Sequence, residues 1–462
     1  MKIGLIAMSG VRVRNKDLVE LGVTLPGFVR RGEVIASLPS LGLFTVAGMT
    51  PAHHDLHYLE VDELPECREL PEFDLVGISS FTARIEDAYL IAERYRARGA
   101  IVVMGGLHVS MLPDEALEHA DAVVVDGAEG AWPRLLRDAE SGRLARIYRG
   151  ARDGVFDPEL YASPRFDLLK GRQYNRVTVQ TSRGCPRRCE FCAASLRITS
   201  RFNQKPVDLV IEEIRDARRQ IDHPFFEFAD DNTFLNRNWS RELLTRLARE
   251  EIRFFTETDI SVADDPQLCD LLARAGCKQV LIGLESPRAD ELDGVDPSNW
   301  KRKRAPDVLR AIDTLQSRGI SVNGCFIVGL DTHSPDVFPE VLDFVRSSGL
   351  AEVQFTALTP FPGTPLYTRL HLEGRLLAER FWDRCTLFDV NYRPSRMTVE
   401  ELENGLRWLF SETYGRKETA RRLRGFVRQR RAGVAGAGAA AGGRPPVSLP
   451  IRGPLDALPP RA

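Results

Sequence analysis

The chain has 462 residues, of which 43% are hydrophobic and 28% charged, and a formal net charge of -2 at pH 7. These values are typical of a globular protein with more than one domain, and they exclude the strong positive charge that would predict nucleic acid as a partner. Because no apolar run approaches the ~20 residues of a membrane span and the N-terminus lacks signal-peptide features, we expect a cytoplasmic protein without a membrane span.

The first part of the chain alternates strand patterns with helix patterns. Four apolar segments predict buried strands, at 2–8, 74–81, 100–106 and 121–127. Strand–helix alternation favours a Rossmann-like, doubly wound parallel sheet, here over residues 1–150. Glycines follow three of these strands, where such sheets bind ligands beyond the carboxyl ends of their strands. Ordinary tight turns explain the same glycines equally well.

A second alternation follows a connector at 151–175. It predicts six further parallel strands, at 176–182, 225–229, 253–258, 278–284, 321–330 and 352–358. Six strand–helix units in a row favour a partial (β/α)6 barrel, which we place at 176–370. In barrels the chemistry collects at the carboxyl ends of the strands.

The end of the chain changes in composition. Residues 371–431 predict a small α/β appendage that ends in a basic helix at 416–431. We interpret that helix as a solvated surface helix. Residues 432–462 are rich in Gly, Ala and Pro and predict a disordered tail.

The stretch CPRRCEFC at 185–192 comes directly after the first predicted barrel strand. It places Cys185, Cys189 and Cys192 at Cys-x3-Cys-x2-Cys spacing. Three thiolates are one short of a closed tetrahedral zinc site. A [4Fe–4S] cluster held by three cysteines keeps one iron open, which suits a catalytic centre. A zinc knuckle with a distant fourth ligand is the alternative.

This loop, with an aromatic residue before its last cysteine and a six-unit barrel around it, resembles the radical S-adenosylmethionine (SAM) superfamily. The resemblance covers about residues 170–370. It implies that the open iron binds SAM, that cleavage of SAM yields a 5′-deoxyadenosyl radical, and that an electron donor such as flavodoxin or ferredoxin supplies the electron. The cofactors perform the chemistry, and the protein positions them and excludes water.

Two further stretches resemble the same superfamily. EFADDNTF at 227–234 places Asp230, Asp231 and Asn232 at the end of the second strand, and VLIGLES at 280–286 places Glu285 and Ser286 after the fourth. The resemblance implies that these residues contact SAM. Helix capping is the alternative role for Asp231 and Asn232.

The N-terminal domain resembles the cobalamin-binding domain that precedes the barrel in one branch of the superfamily. The resemblance rests on a GG-x-H and a G-x-E motif after neighbouring strands, with two serines after the preceding strand. It implies cobalamin contacts from Ser79, Ser80, Gly105, Gly106, His108, Gly127 and Glu129. The chain departs from many cobalamin proteins because residues 1–150 lack an Asp-x-His-x-x-Gly motif. We therefore expect cobalamin without a histidine on cobalt from below, or a domain that holds no cofactor.

Together these features predict an enzyme that methylates or otherwise modifies an unactivated carbon of a small-molecule substrate. Its expected cofactors are a [4Fe–4S] cluster, SAM and cobalamin. A cobalamin-independent radical enzyme that catalyses cyclisation or rearrangement is one alternative. A non-catalytic iron–sulfur or zinc protein is another.

Overall fold

The computed structural model describes most of the chain. It covers residues 1–8, 10–11, 13–20, 38–62, 64, 70–150, 156–157, 160–169, 174, 176–193 and 201–441. The predicted tail beyond residue 441 and about half of the predicted connector lie outside the described residues. The predicted domain boundaries remain predictions.

The N-terminal part forms a six-stranded parallel sheet. Its strands are β1 (Lys2–Met8), β2 (Asp55–Val61), β3 (Leu75–Ser79), β4 (Ile101–Gly105), β5 (Ala122–Val125) and β6 (Ile147–Arg149). The strand order is β2-β1-β3-β4-β5-β6, and all neighbours are parallel. The sequence analysis identified the four central strands and missed both edge strands. Edge strands are less buried, so they lack a continuous apolar run; β2 reads DLHYLEV.

The described residues of this part of the chain form six α-helices. They are α1 (Lys16–Glu20), α2 (Leu41–Gly48), α3 (Ile85–Arg96), α4 (Leu107–Met111), α5 (Pro113–His119) and α6 (Ala131–Glu140). The strand order reverses direction between β1 and β3. Doubly wound sheets bind ligands in the crevice beyond the carboxyl ends of the strands at such a point.

The second sheet confirms the predicted partial barrel. Its strands are β7 (Val177–Val179), β10 (Phe225–Phe228), β11 (Arg253–Thr258), β12 (Cys277–Glu285), β13 (Ser321–Val328) and β14 (Glu352–Ala357). All neighbours are parallel and follow chain order. A short antiparallel pair, β8 (Ser182–Arg183) and β9 (Asn203–Gln204), brackets the cysteine loop.

Helices cover the outside of this barrel. They are α7 (Val207–Gln220), α8 (Arg237–Leu247), α9 (Pro266–Arg274), α10 (Trp300–Arg304), α11 (Val308–Gln316) and α12 (Val337–Ser347). Apolar side chains on their inner faces pack with alternate residues of the strands in one continuous core. None of the helices in the described ranges combines the length and apolar character needed to cross a bilayer.

The C-terminal part is mostly helical, where the sequence predicted an α/β appendage. It comprises α13 (Pro365–Leu372), α14 (Val399–Tyr414) and α15 (Arg416–Ala441). Strand-like pairing is reduced to one antiparallel bridge between Leu376 and Tyr392. Helix α15 continues to Ala441, into the segment predicted as disordered.

The C-terminal part also packs into the N-terminal domain. Phe381, Trp382 and Cys385 are buried in the apolar cluster on one face of the first sheet. The Arg380 guanidinium donates to Glu86 at 2.6 and 3.0 Å. The segment 380–385 therefore fastens the N-terminal domain to the barrel.

Candidate functional site: the cysteine loop and the facing sheet edge

The cysteine loop begins where β8 ends, beside the carboxyl end of the barrel sheet. Gly184 adopts a φ of 89°, and its backbone N–H donates to Asp231 Oδ2 at 2.9 Å. Further along, Cys192 N–H donates to the Cys189 carbonyl at 3.0 Å. These hydrogen bonds hold the loop in a tight turn at the barrel mouth.

The thiols of this loop interact through their charges. All three cysteines are free, Cys189 is 7% exposed, and Cys185 and Cys192 are half-buried. Burial raises the pKa of Cys189 to about 12, and the charges of Cys192 and Cys185 act in the same direction. A metal centre that displaces their protons would relieve this repulsion. Three free cysteines in one loop are the donor set that a [4Fe–4S] cluster with one open iron requires.

Asp230 holds the start of the loop. Its carboxylate accepts hydrogen bonds from the backbone N–H of Thr181 at 2.7 Å and of Ser182 at 2.9 Å, and from the Thr181 and Thr233 hydroxyls. Burial raises its pKa. The sequence analysis expected Asp230 to contact SAM, but protein donors already occupy its carboxylate. Asp231 is likewise engaged by Gly184.

Asn232 bridges the loop and the third barrel strand. Its amide Nδ2 donates to Asp259 Oδ2 at 2.9 Å and lies 3.7 Å from Cys185 Sγ. Its Oδ1 accepts from the Asp259 backbone N–H at 3.2 Å. Of the three residues Asp230, Asp231 and Asn232, Asn232 is thus the one whose side chain approaches the Cys185 thiol.

Glu285 lies at the carboxyl end of β12 in a strained backbone conformation. Its φ is 64°, and its carboxylate pairs with Lys301 Nζ at 2.6 Å. A Cβ on Gly283 would lie 2.5 Å from Glu285 Oε1, so only glycine leaves room for this pair. The charges of both Glu285 and Lys301 act on Cys189. The charge of Glu285 therefore acts on the cysteine loop, whereas the Ser286 hydroxyl donates to Glu291.

Asp259 is a charged residue beside the loop that the sequence did not predict. The Arg187 guanidinium donates to Asp259 Oδ2 at 2.8 Å and lies 3.7 Å from the Trp300 ring centroid. Burial opposes the charge on Asp259, but hydrogen bonds from Ser261, Arg187 and Asn232 lower its pKa on balance. Asp259 directly follows β11, so its position at a strand's carboxyl end was the available signal.

Small residues line the carboxyl edge of the first sheet. Ser79 ends β3 and Gly105 ends β4, and Ser80 and Gly106 follow them. Gly106 is exposed with a φ of 106°, and a Cβ there would lie 3.3 Å from Ser79 Oγ. This edge can admit a bulky ligand close to the backbone, as a corrin requires. Gly127 is buried against Gly150, whose Cβ would meet the Gly127 carbonyl.

His108 does not lie on this edge. Its side chain is fully buried, and Nε2 lies 3.2 Å from Glu115 Oε1. Glu115 also accepts from Tyr89 at 2.8 Å and from Trp382 Nε1 at 3.2 Å. The sequence analysis included His108 among the cobalamin contacts, but the structure makes it a structural hydrogen-bonding residue.

Glu129 connects the sheet edge to the cysteine loop. It is 3% exposed and accepts from Arg183 Nη2 at 3.2 Å. Arg183 comes two positions before Cys185. The sequence analysis expected Glu129 to contact cobalamin, but its carboxylate joins the two halves of the site.

Family models match three consecutive parts of the chain. The B12 binding domain matches residues 29–136, the Radical SAM superfamily matches 179–345, and a domain of unknown function matches 364–438.

Curated relatives share about a quarter of their residues with this chain. A bacteriochlorophyllide d C-12(1)-methyltransferase of Chlorobaculum tepidum is 27% identical over 84% of this chain and 85% of its own. A hopanoid C-2 methylase of Rhodopseudomonas palustris is 25% identical over 75% and 66%. An anaerobic magnesium-protoporphyrin IX monomethyl ester cyclase of Rubrivivax gelatinosus is 25% identical over 64% and 58%.

Among solved structures, the fold is similar to a radical SAM methyltransferase, TsrM, from Kitasatospora setae with cobalamin and a [4Fe-4S] cluster bound. The TM-score is 0.64 at 16% identity, over 94% of this chain and 100% of that chain.

Proposed function

The chain belongs to the radical SAM superfamily, in the branch that joins a B12-binding domain to the barrel, and we propose that it methylates an unactivated carbon of a small molecule. Its relatives form the family of cobalamin-dependent radical SAM methyltransferases. The predicted enzyme class and the cofactors, a [4Fe–4S] cluster, SAM and cobalamin, are thereby confirmed for the family. The residue roles given below are part of the proposal.

Cys185, Cys189 and Cys192 hold the cluster, because all three are free, lie in one short loop and would leave one iron open. When bound, the cluster and SAM supply a 5′-deoxyadenosyl radical, and cobalamin supplies the methyl group. The protein's own contribution is to hold these groups in line and to exclude water.

Asn232 and Glu285 are the direct SAM contacts in this proposal. Asn232 lies near the Cys185 thiol, and the charge of Glu285 acts on Cys189. The two residues come from the carboxyl ends of different strands. Asp230 and Asp231 are positioning residues, because their carboxylates hold the backbone of the cysteine loop, and Ser286 is another because its hydroxyl donates to Glu291.

Cobalamin lies against Ser79, Ser80, Gly105 and Gly106 in this proposal, at the point where the strand order reverses. Gly127 shapes the same edge through its backbone. No histidine ligates cobalt from below, since His108 is fully buried against Glu115.

The observation that carries the proposal is the 3.2 Å hydrogen bond between Arg183 and Glu129. It places the loop after β5 directly beside the cysteine loop. The carboxyl edge of the first sheet and the start of the cysteine loop therefore lie side by side, as methyl transfer with both cofactors requires.

Anaerobic reconstitution with methyl-labelled SAM tests the proposal. We expect cobalt and cluster iron to bind together, and both 5′-deoxyadenosine and S-adenosylhomocysteine to form. Labelled methyl should enter a small molecule of a cell extract. Bound cofactors with 5′-deoxyadenosine but no S-adenosylhomocysteine would contradict methyl transfer.

That result would favour a second candidate, radical cyclisation, which the similarity to a cyclase supports. In either reaction, an electron donor such as flavodoxin or ferredoxin reduces the cluster. The free thiols suit a reducing compartment, in agreement with the cytoplasmic location that we propose.

A further inference from the structure

The inside of the barrel is polar. On each strand, alternate apolar residues pack outward with the helices, for example Phe254 on β11 and Val280 on β12. The residues between them face the opposite side, the barrel lumen. Charge interactions among side chains of different strands agree with this, because Glu257 and Glu285 both act on Cys325.

Several lumen side chains have no hydrogen-bond partner. The unpartnered atoms within the described ranges are Thr178 Oγ1, Gln279 Nε2, Asn323 Oδ1 and Gln354 Oε1. These four residues are only 5%, 1%, 2% and 6% exposed. Buried polar atoms without a partner are rare in folded proteins and cost stability. Four of them at inward-facing positions of β7, β12, β13 and β14 indicate a site built to hydrogen-bond a ligand.

The lumen also carries a carboxyl group that has no side-chain partner among the described residues. Glu227 pairs with Arg176 at 2.5 Å, and Glu285 pairs with Lys301. Glu257 is open to the lumen and has no side-chain partner in the described part of the chain. The surrounding barrel raises its pKa to about 8, and the charges of Glu227, Asp231 and Asp230 act in the same direction. A bound cation would stabilise the Glu257 carboxylate.

We infer that the part of the substrate that enters the lumen is a polar, cationic group, with an amino or guanidinium nitrogen on Glu257 and amide or hydroxyl groups on Gln279, Asn323 and Gln354. This rests on the proposed function for the reaction, but the binding site stands on its own geometry. A lipid-like substrate without polar groups would leave all these atoms unpaired.

The first experiment uses two matched probes on the reconstituted full chain with saturating SAM. One is 5-aminopentanamide, a cation with an amide, and the other is hexanamide, its neutral isostere. We expect calorimetric titration to show binding of the cation and at least about tenfold weaker binding of the neutral probe. Equal affinities of the two probes would overturn the inference. Binding of the cation that occurs without SAM but is lost with saturating SAM would also overturn it.

Variants locate the binding. Glu257→Gln should weaken 5-aminopentanamide about tenfold or more, because it removes the charge and keeps the shape. Glu242→Gln, an exposed change on the outside of α8, is the matched control. Gln279→Met should weaken the probe and leave the melting temperature unchanged or higher, since it removes an unpartnered amide. An unchanged affinity in Glu257→Gln would contradict the assignment.

Labelled SAM then separates the two proposals. The enzyme is given the cation-exchange fraction and the lipid fraction of a cell extract. Label in the cationic fraction supports both proposals, and label in the lipid fraction overturns the substrate class. Probe binding without label in any fraction would contradict methyl transfer and leave the lumen site standing.

Discussion

The two halves of the site are built in opposite ways. The barrel half consists of buried charged side chains that engage one another, such as Glu285 with Lys301 and Arg187 with Asp259. The sheet edge that faces it is made of glycines and serines, and its Gly106 is exposed. Charged groups that are already paired can fix small, charged cofactors at defined positions. An edge with only small side chains instead admits a large ligand whose own amides supply the hydrogen bonds.

The largest effect should come from the cluster ligands. Cys189→Ala removes one of three thiolates that have no substitute nearby, so we expect loss of cluster iron and of all SAM cleavage. The matched control is Cys269→Ala, a buried cysteine on α9, which should keep its iron. Iron analysis and 5′-deoxyadenosine measurement check this. Full iron in Cys189→Ala would show that the barrel half is not a cluster site.

At the sheet edge, cobalamin uptake should be sensitive to an added side chain. Gly106→Ala places a methyl group 3.3 Å from Ser79 Oγ at the exposed edge, so cobalamin uptake should fall while cluster iron remains. Gly99→Ala is the control, because Gly99 also has a positive φ, 84°, lies before the same strand and has open space around it. The measurement is the cobalt content of both reconstituted proteins. Equal cobalt content would move cobalamin away from this edge.

The charge pairs of the barrel half should be costly to break. Lys301→Met leaves Glu285 buried without its cation, which lowers the free energy of unfolding by about 3–5 kcal/mol. Adding Glu285→Gln should recover most of that loss, whereas Lys303→Met, on the exposed side of α10, should have little effect. Urea unfolding measures all three proteins. A Lys301→Met protein as stable as the original would contradict the structural pairing.

The sequence predicted the fold more accurately than it predicted the side-chain contacts of the candidate site. Buried strands such as β4 and β12 carry continuous apolar runs, so their pattern alone identified them. The edge strands β2 and β6 were missed because partial exposure admits polar residues such as His57. The long helix α15 was cut short because its Ala- and Gly-rich end resembles a disordered tail in composition.

Spacing along the chain identified the three cysteines, but it does not show which way a side chain points. Asp230 and Glu129 carry the right chemistry at the right strand ends, yet their carboxylates bind loop atoms instead of open space. Lys301 lies on α10, which follows β12, and no sequence motif indicates its role. The role of such a side chain depends on the residues that the fold places next to it, which can be distant in the sequence.

The last prediction concerns the hydrogen bond that joins the two halves. Arg183→Lys keeps a positive charge but shortens the reach to Glu129 and disturbs the geometry with Gln180, which also accepts from Arg183 at 2.9 Å. We expect a loss of about 1–3 kcal/mol in the free energy of unfolding, because Glu129 is buried and loses its donor. Cluster iron and cobalt should both remain, since each half keeps its own ligand contacts. S-adenosylhomocysteine formation should fall more than 5′-deoxyadenosine formation, because the bond sets the position of one half against the other. Glu129→Gln, which can still accept a hydrogen bond, should be milder in both respects. If the two products fall in equal proportion, Arg183 acts on the cluster loop alone, and the halves of the site are aligned by other contacts such as the buried segment around Trp382.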